Sequence, residues 1–164
     1  MLFRSLIQDA LNELDKKQRD AEAQAQKSAV TALSPELIKA ENGIVLGNPS
    51  GDVTLVEFFD YNCGYCKKDL AEVQSVVAQD PNLKVVMKEW PIFGPDSEFA
   101  AKAAMAAARQ GKYWALHQAL FANEGHVDQA VVEKLAKSVG IDVAKMKADM
   151  ADKAIADKIG RAHV

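Results

Sequence analysis

Residues 56–67 read "VEFFDYNCGYCK". An apolar, aromatic-rich run ends at Phe59, and the chain's two cysteines, Cys63 and Cys66, follow within one turn's length. Upstream, "GIVLGNPSGDVTLVEFF" (43–59) divides into Ile44 to Leu46, a break over Gly47 to Asp52, and Val53 to Phe59, the pattern of strand, turn, strand. The second strand is apolar on both faces, which predicts a central buried position. Downstream, Cys66, Leu70, Val73 and Val77 keep helical spacing until the turn at Asp80-Pro81-Asn82. "LKVVMKEW" (83–90) is the next strand, closed by Pro91. The order is therefore strand, CxxC, helix, strand, with the cysteines at the junction of strand end and helix start.

Two cysteines so spaced suit a redox-active dithiol, half of a metal site, or an inert bridge. At a helix start the first cysteine faces backbone N–H groups that have no partner inside the helix. These donors stabilise a thiolate, and thiols so placed reach a pKa of roughly 3.5–7.5 instead of ~8.5. Cys63 is thus the candidate nucleophile, and Cys66, one turn in and on the apolar face, the resolving partner. A zinc site wants four ligands. The sequence has no second CxxC, and His117, His126 and His163 lie on three separate segments without ligand spacing. A bridge closing so short a loop constrains the unfolded chain little. The dithiol is favoured. Its rival is a Cu(I) site made of the same two thiolates, and a third reading makes the chain an oligomeric scaffold or holdase.

Glu57 sits in the apolar run "LVEFF", six residues before Cys63. There a carboxylate costs free energy unless it has a partner or a task. Accepting a proton from the resolving thiol and simply facing outward from the strand stand as equal alternatives. Lys67 and Lys68 read as solvated surface residues more than as a source of positive potential. Asp60 and Tyr61 are weak candidates for substrate contact, and His117, in "YWALHQALF", reads as a packed helix residue.

The 164 residues, 49% apolar and 26% charged, suffice for one domain with a core. A net charge of -3 without a basic block argues against nucleic acid, and no apolar run is long enough to span a bilayer. "MLFRSLIQDALNELDKK" lacks the apolar stretch and cleavage site of a secretory signal, which leaves a cytosolic protein or a mature form. Phe3, Ile7, Ala10 and Leu14 follow coiled-coil spacing, broadened by Leu6 and Leu11, and "KKQRDAEAQAQK" continues as a polar helical stem. An apolar head on a polar stem favours an oligomerisation stalk over a helix packed on its own domain. Ser34 and Pro35 predict the start of a short helix ending before Gly43. Further helices are expected over Phe99 to Gln110, Tyr113 to Ala122, Val131 to Val139 after a cap at Asp128, and Val143 to Ile159 after Asp142.

"GNPSGDVTLVEFFDYNCGYCKKDL" (47–70), followed by "VVMKEWPIFGPDSEFAAKAAMAAARQGKYWALHQALF" (85–121), resembles DsbA-like thiol:disulfide oxidoreductases, nearest to the ScsC-like copper-sensitivity branch. The resemblance covers about residues 44–159. It implies an α/β thioredoxin-like fold with an inserted helical domain, no cofactor beyond a redox-active Cys63–Cys66 disulfide, and a bacterial periplasmic setting. It also implies cysteine-containing protein substrates and a redox partner protein. By position, Cys63 matches the attacking cysteine, Cys66 the resolving one, Glu57 the buried acid, and Gly64-Tyr65 the dipeptide that tunes the potential. Some ScsC-like members trimerise through an N-terminal helical stalk and act as disulfide isomerases, which residues 1–30 resemble. The expected organisation is a stalk over 1–33, the first half of the thioredoxin-like domain over 34–95, and the inserted helical domain over 96–164. Family members continue into a cis-proline segment and two further strands. None of Pro35, Pro49, Pro81, Pro91 and Pro95 matches that proline, so the fold is expected to be incomplete at its C-terminus, with an uncovered sheet edge.

Overall fold

The computed structural model describes residues 2–39 and 43–160, with side chains from Ile7 onward. The side chains of Phe3 and Leu6, and His163, lie outside the described residues. The chain forms two compact units, Met1–Ile38 and Lys39–Val164.

The first unit is one helix, α1 (Leu2–Leu37). Its sequence is rich in Ala, Gln, Lys, Glu and Leu, which lose little rotamer freedom in a helix. Local pairs such as Glu13–Lys17 at 3.6 Å and Gln8–Asn12 at 3.3 Å add small increments. Ile7, Leu11 and Leu14 are all more than half exposed, as are Val30 and Leu33. The new helix expected at Ser34 does not form. Pro35 lies inside α1, where it removes one N–H from the ladder without ending it. The Ile38 N–H then closes the last turn on Ser34 O at 3.0 Å.

In the second unit, β1 (Ile44–Gly47), β2 (Val53–Phe59), α2 (Gly64–Gln79) and β3 (Leu83–Glu89) come first. They are followed by α3 (Pro95–Ala108), α4 (Tyr113–Ala122), α5 (Gln129–Ser138), α6 (Val143–Met150) and α7 (Lys153–Ala156). The sheet order is β1-β3-β2, with β1 antiparallel and β2 parallel to β3. A parallel pair needs a crossover, and α2 supplies it.

The central strand is β3, not β2 as expected. All of β3 except Lys84 is buried, whereas Val53, Leu55 and Phe58 of β2 stay 41–54% exposed. Apolar residues on both faces mark a strand that can be covered twice, but only pairing on both edges makes it central. Among the described residues, no strand pairs with the second edge of β2.

The register sets Glu57 opposite Met87 and Phe59 opposite Glu89, all on one face of the sheet. That face packs into the core with Cys66, Leu70, Val73 and Val77 of α2. Six alanines of α3 (Ala100, Ala101, Ala103, Ala104, Ala106 and Ala107) are almost fully buried, and their small side chains let neighbouring helices approach closely. Elements from both sides of residue 95 contribute to this one cluster.

The single helix expected over Val143 to Ile159 is two. Ala151 ends α6, and Asp152 caps α7 by accepting from Ala154 N–H at 2.9 Å. Arg109 holds the break from outside by bonding both Asp149 and Asp152. A capping aspartate offers the backbone an alternative to continued helix, and the guanidinium fixes that choice. No described helix is long and apolar enough to cross a membrane.

Candidate active site

β2 ends at Phe59, and Asp60-Tyr61-Asn62 turn the chain into α2. Cys63 is the N-cap, in extended backbone geometry with φ -81° and ψ 114°. Its N–H donates to Asp60 O at 3.0 Å, and its own carbonyl accepts from Lys67 N–H at 3.1 Å. The Cys66 N–H donates to Cys63 Sγ at 3.5 Å, so the thiol takes the place of a capping oxygen. Both cysteines are free and partly buried.

Burial pushes the Cys63 thiol up, but hydrogen bonds from the Cys66 thiol and from the Cys66 and Tyr65 backbone N–H groups outweigh it, leaving Cys63 below its ordinary value. Cys66 moves the other way, to about 11, through burial, through donating to Cys63, and through the charges of Cys63 and Glu57. The two sulfurs are thus split in acidity, Cys63 being the more readily ionised and Cys66 the one that keeps its proton. Between them, Gly64 has open space where a side chain would begin, and Tyr65 is 79% exposed beneath the Lys68 ammonium.

Glu57 faces inward, on the side of the sheet that carries α2. Its Oε2 is buried without a hydrogen-bond partner. Burial first, and then the Asp69 charge, raise the Glu57 carboxyl, so it holds a proton more tightly than a solvated glutamate. The outward-facing alternative is excluded by this geometry.

Asp60 is not a surface contact. It is 3% exposed, and its carboxylate accepts from Asn62 N–H (2.7 Å), Ser97 Oγ–H (2.8 Å), Ile92 N–H (2.7 Å) and Phe93 N–H (3.2 Å). It therefore ties the CxxC turn to the segment after β3. Lys67 is not simply solvated either: its ammonium donates to Asn123 O and Gly125 O at 3.0 and 2.8 Å, and burial lowers its pKa.

Beneath the turn lies a buried polar cluster. Tyr61 and Tyr113 donate their hydroxyls to Glu89 Oε1 at 2.9 and 3.0 Å, and His117 Nδ1 lies 3.0 Å from the Tyr61 hydroxyl. With Tyr61 donating to Glu89, His117 is assigned as the Nδ1–H tautomer donating to the Tyr61 oxygen. Burial raises Glu89 to about 8 even though the tyrosine hydrogen bonds oppose it. Burial also lowers His117 to about 3, so the ring is neutral, and it stacks on Trp114 at 4.9 Å. The packed reading of His117 holds.

Glu89, Asn62 and Ser97 were not picked out from the sequence. Glu89 carried the same signal as Glu57, a carboxylate in an apolar strand; Asn62 and Ser97 carried none, because their partners are remote in sequence. Among the described residues no three or more His, Cys, Asp or Glu side chains gather as a metal site.

Residues 54–163 match the family described as DSBA-like thioredoxin domain. Among solved structures, the chain is similar to a thioredoxin-like oxidoreductase from Silicibacter pomeroyi DSS-3, with 49% identity and TM-score 0.73 over 75% of this chain and 71% of that one. It is also similar to the catalytic domain of Proteus mirabilis ScsC, with 26% identity and TM-score 0.70 over 80% and 75% of the two chains. A stretch of 119 residues is 29% identical to part of a Na(+)/H(+) antiporter, NhaA 3, from Salinispora tropica, covering 71% of this chain and 18% of the antiporter. The chain thus spans less than a fifth of the curated relatives it matches.

Proposed function

The chain belongs to the DSBA-like thioredoxin domain family, and from that premise we propose that Cys63 and Cys66 carry out thiol–disulfide exchange with cysteine-containing proteins. The observation that carries the reading is the Cys66 N–H directed at Cys63 Sγ, with Cys63 lowered and Cys66 raised.

In the oxidising direction a substrate thiolate attacks Sγ of Cys63 in the Cys63–Cys66 disulfide. A substrate–Cys63 bond forms, the Cys63–Cys66 bond breaks, and Cys66 leaves with the electron pair. Cys66 then takes up a proton, and this reading gives the role of donor to the Glu57 carboxyl, which acts electrostatically on Cys66. A second substrate thiolate then attacks the substrate sulfur of the mixed disulfide and expels Cys63 as thiolate. The substrate has lost two electrons and the dithiol has gained them. Stabilising that departing thiolate stabilises the reduced form, which makes the disulfide an oxidant.

In the isomerising direction, reduced Cys63 attacks a mispaired substrate disulfide and is later expelled by a substrate thiol, with no net oxidation. The exposed apolar side chains of α1 support self-association, and a trimeric stalk would present several dithiols to one misfolded chain. The same reading assigns the protein to an oxidising compartment, the periplasm. Absorbance titration of the Cys63 thiolate, with equilibration of the dithiol against glutathione, tests the core of this reading. An ordinary thiol pKa and a weakly oxidising disulfide would sink it.

A further inference from the structure

Cys63 and Cys66 lie between two residues that both grip the loop joining α4 and α5. On the entry side, Asn62 accepts from Val127 N–H through Oδ1 at 2.7 Å and donates through Nδ2 to Val127 O and Ser97 Oγ at 3.2 and 3.1 Å. On the exit side, Lys67 donates to Asn123 O and Gly125 O. The loop is itself braced: Asn123 Nδ2 reaches Gly125 O and His126 O, and His126 bonds Asp96 at 2.7 Å. Val127 is fully buried.

We propose that Asn62 and Lys67 are positioning residues for the dithiol, fastening both ends of the CxxC turn to the 123–127 loop so that the first N–H groups of α2 converge on Cys63 Sγ. The inference rests on the thiol–disulfide reading of this site and deepens it by making the α4–α5 loop part of the redox machinery.

The physical argument starts from the weakness of the bond that matters. Thiol sulfur is a weak acceptor, so the bond it receives at 3.5 Å holds the turn only lightly, and the first turn of a helix is where fraying begins. Nothing within 4 Å of the Gly64 Cβ position packs against the turn from outside, and Tyr65 is exposed. The restraint on Cys63 therefore comes from its neighbours in sequence. Asn62 uses one acceptor and two donor contacts on partners 35 and 65 residues away, an arrangement that fixes orientation as well as distance. Lys67 immobilises a long side chain on two carbonyls, which costs rotamer entropy without gaining an opposite charge. That cost is consistent with a placement role and is hard to reconcile with a solvated lysine.

The experiment compares Asn62→Ala with the wild-type protein by thiolate absorbance, glutathione equilibrium, and melting of the reduced and oxidised forms. The expected result is a rise of about one pKa unit for Cys63, with about a tenfold shift of the equilibrium toward the disulfide. If both redox forms melt equally lower while the Cys63 pKa and the equilibrium stay at wild-type values, Asn62 is merely structural and the proposal is overturned. A wild-type pKa in the ordinary thiol range would instead defeat the underlying thiol–disulfide reading, so the two failures are distinguishable. Should Asn62→Ala not fold, Lys67→Met and Lys67→Arg decide. A Cys63 shift in Lys67→Met that persists in ~1 M salt, where charges are screened within ~3 Å, and is reversed in Lys67→Arg supports the clasp. No shift, or one abolished by salt, overturns it.

Discussion

The Cys66 backbone N–H and the Cys63 sulfur lie 3.5 Å apart, so the second cysteine of the pair stabilises the thiolate of the first before any substrate arrives. Its own thiol adds a further hydrogen bond. Replacing Cys66 by alanine removes the thiol contribution and leaves the backbone donor. Cys63 alkylation should then titrate at a higher pH than in the wild-type reduced protein, yet still below an ordinary thiol. A Cys66→Ala titration unchanged from the wild-type one would show that the side-chain bond contributes nothing.

The same shift makes the reduced protein pH-sensitive. A Cys63 pKa depressed by folding contributes stability that is present above the unfolded thiol's pKa and is lost as pH falls through the folded value. Denaturant melts of wild-type and Cys63→Ser proteins should diverge on the alkaline side and converge on acidification. Parallel curves across that window would contradict the thiolate assignment.

Glu57 has a folded pKa raised by burial and by Asp69. Its ionisation therefore costs stability, and the cost is fully present above the folded value and absent below the unfolded one. Glu57→Gln should stabilise the fold at neutral pH, or leave it unchanged, and should lower the Cys66 pKa, since the Glu57 charge raises it. Exchange should slow by roughly tenfold or more through loss of the proton donor. A variant that exchanges at the wild-type rate would remove Glu57 from the mechanism.

Glu89 is raised to about 8. Stability should therefore decline as pH rises from the ordinary carboxyl range toward 8, by about 1.4 kcal/mol per pH unit at most. Glu89→Gln keeps an oxygen for the Tyr61 and Tyr113 hydroxyls and should flatten that decline. Glu89→Ala removes the acceptor of both hydroxyls, leaving Tyr61 only its His117 contact, and should cost roughly 2–5 kcal/mol. Equal pH dependence in wild-type and Glu89→Gln proteins, measured by urea titration, would refute the assignment.

Asp60 accepts four hydrogen bonds, two of them from Ile92 and Phe93 N–H groups. Asp60→Asn turns an amide group toward donors and should cost roughly 2–4 kcal/mol. Amide exchange at Ile92 and Phe93 should accelerate more than in β3. Uniform acceleration would mean general loosening instead of a lost anchor.

Much of this protein follows from short windows of sequence. The strand–CxxC–helix–strand order, the first turn of α2 at Cys63, and the caps at Asp128 and Asp142 all depend on signals within a few residues of where they act. The redox chemistry is local in the same sense, since the donor stands three positions after the capping sulfur. The tertiary structure decided the rest. Whether β2 or β3 is central depends on which edges find partners, and both strands are apolar enough for either place. Whether Asp152 starts a new helix is settled by Arg109, a neighbour that the local pattern does not contain. The inward position of Glu57 depends on register against Met87, and a one-residue slip would turn it outward. Asn62 is the clearest instance, because its bonds reach Ser97 and Val127, 35 and 65 residues away. Folding brings such partners together through packing of the whole unit, and no window of sequence around Asn62 contains them.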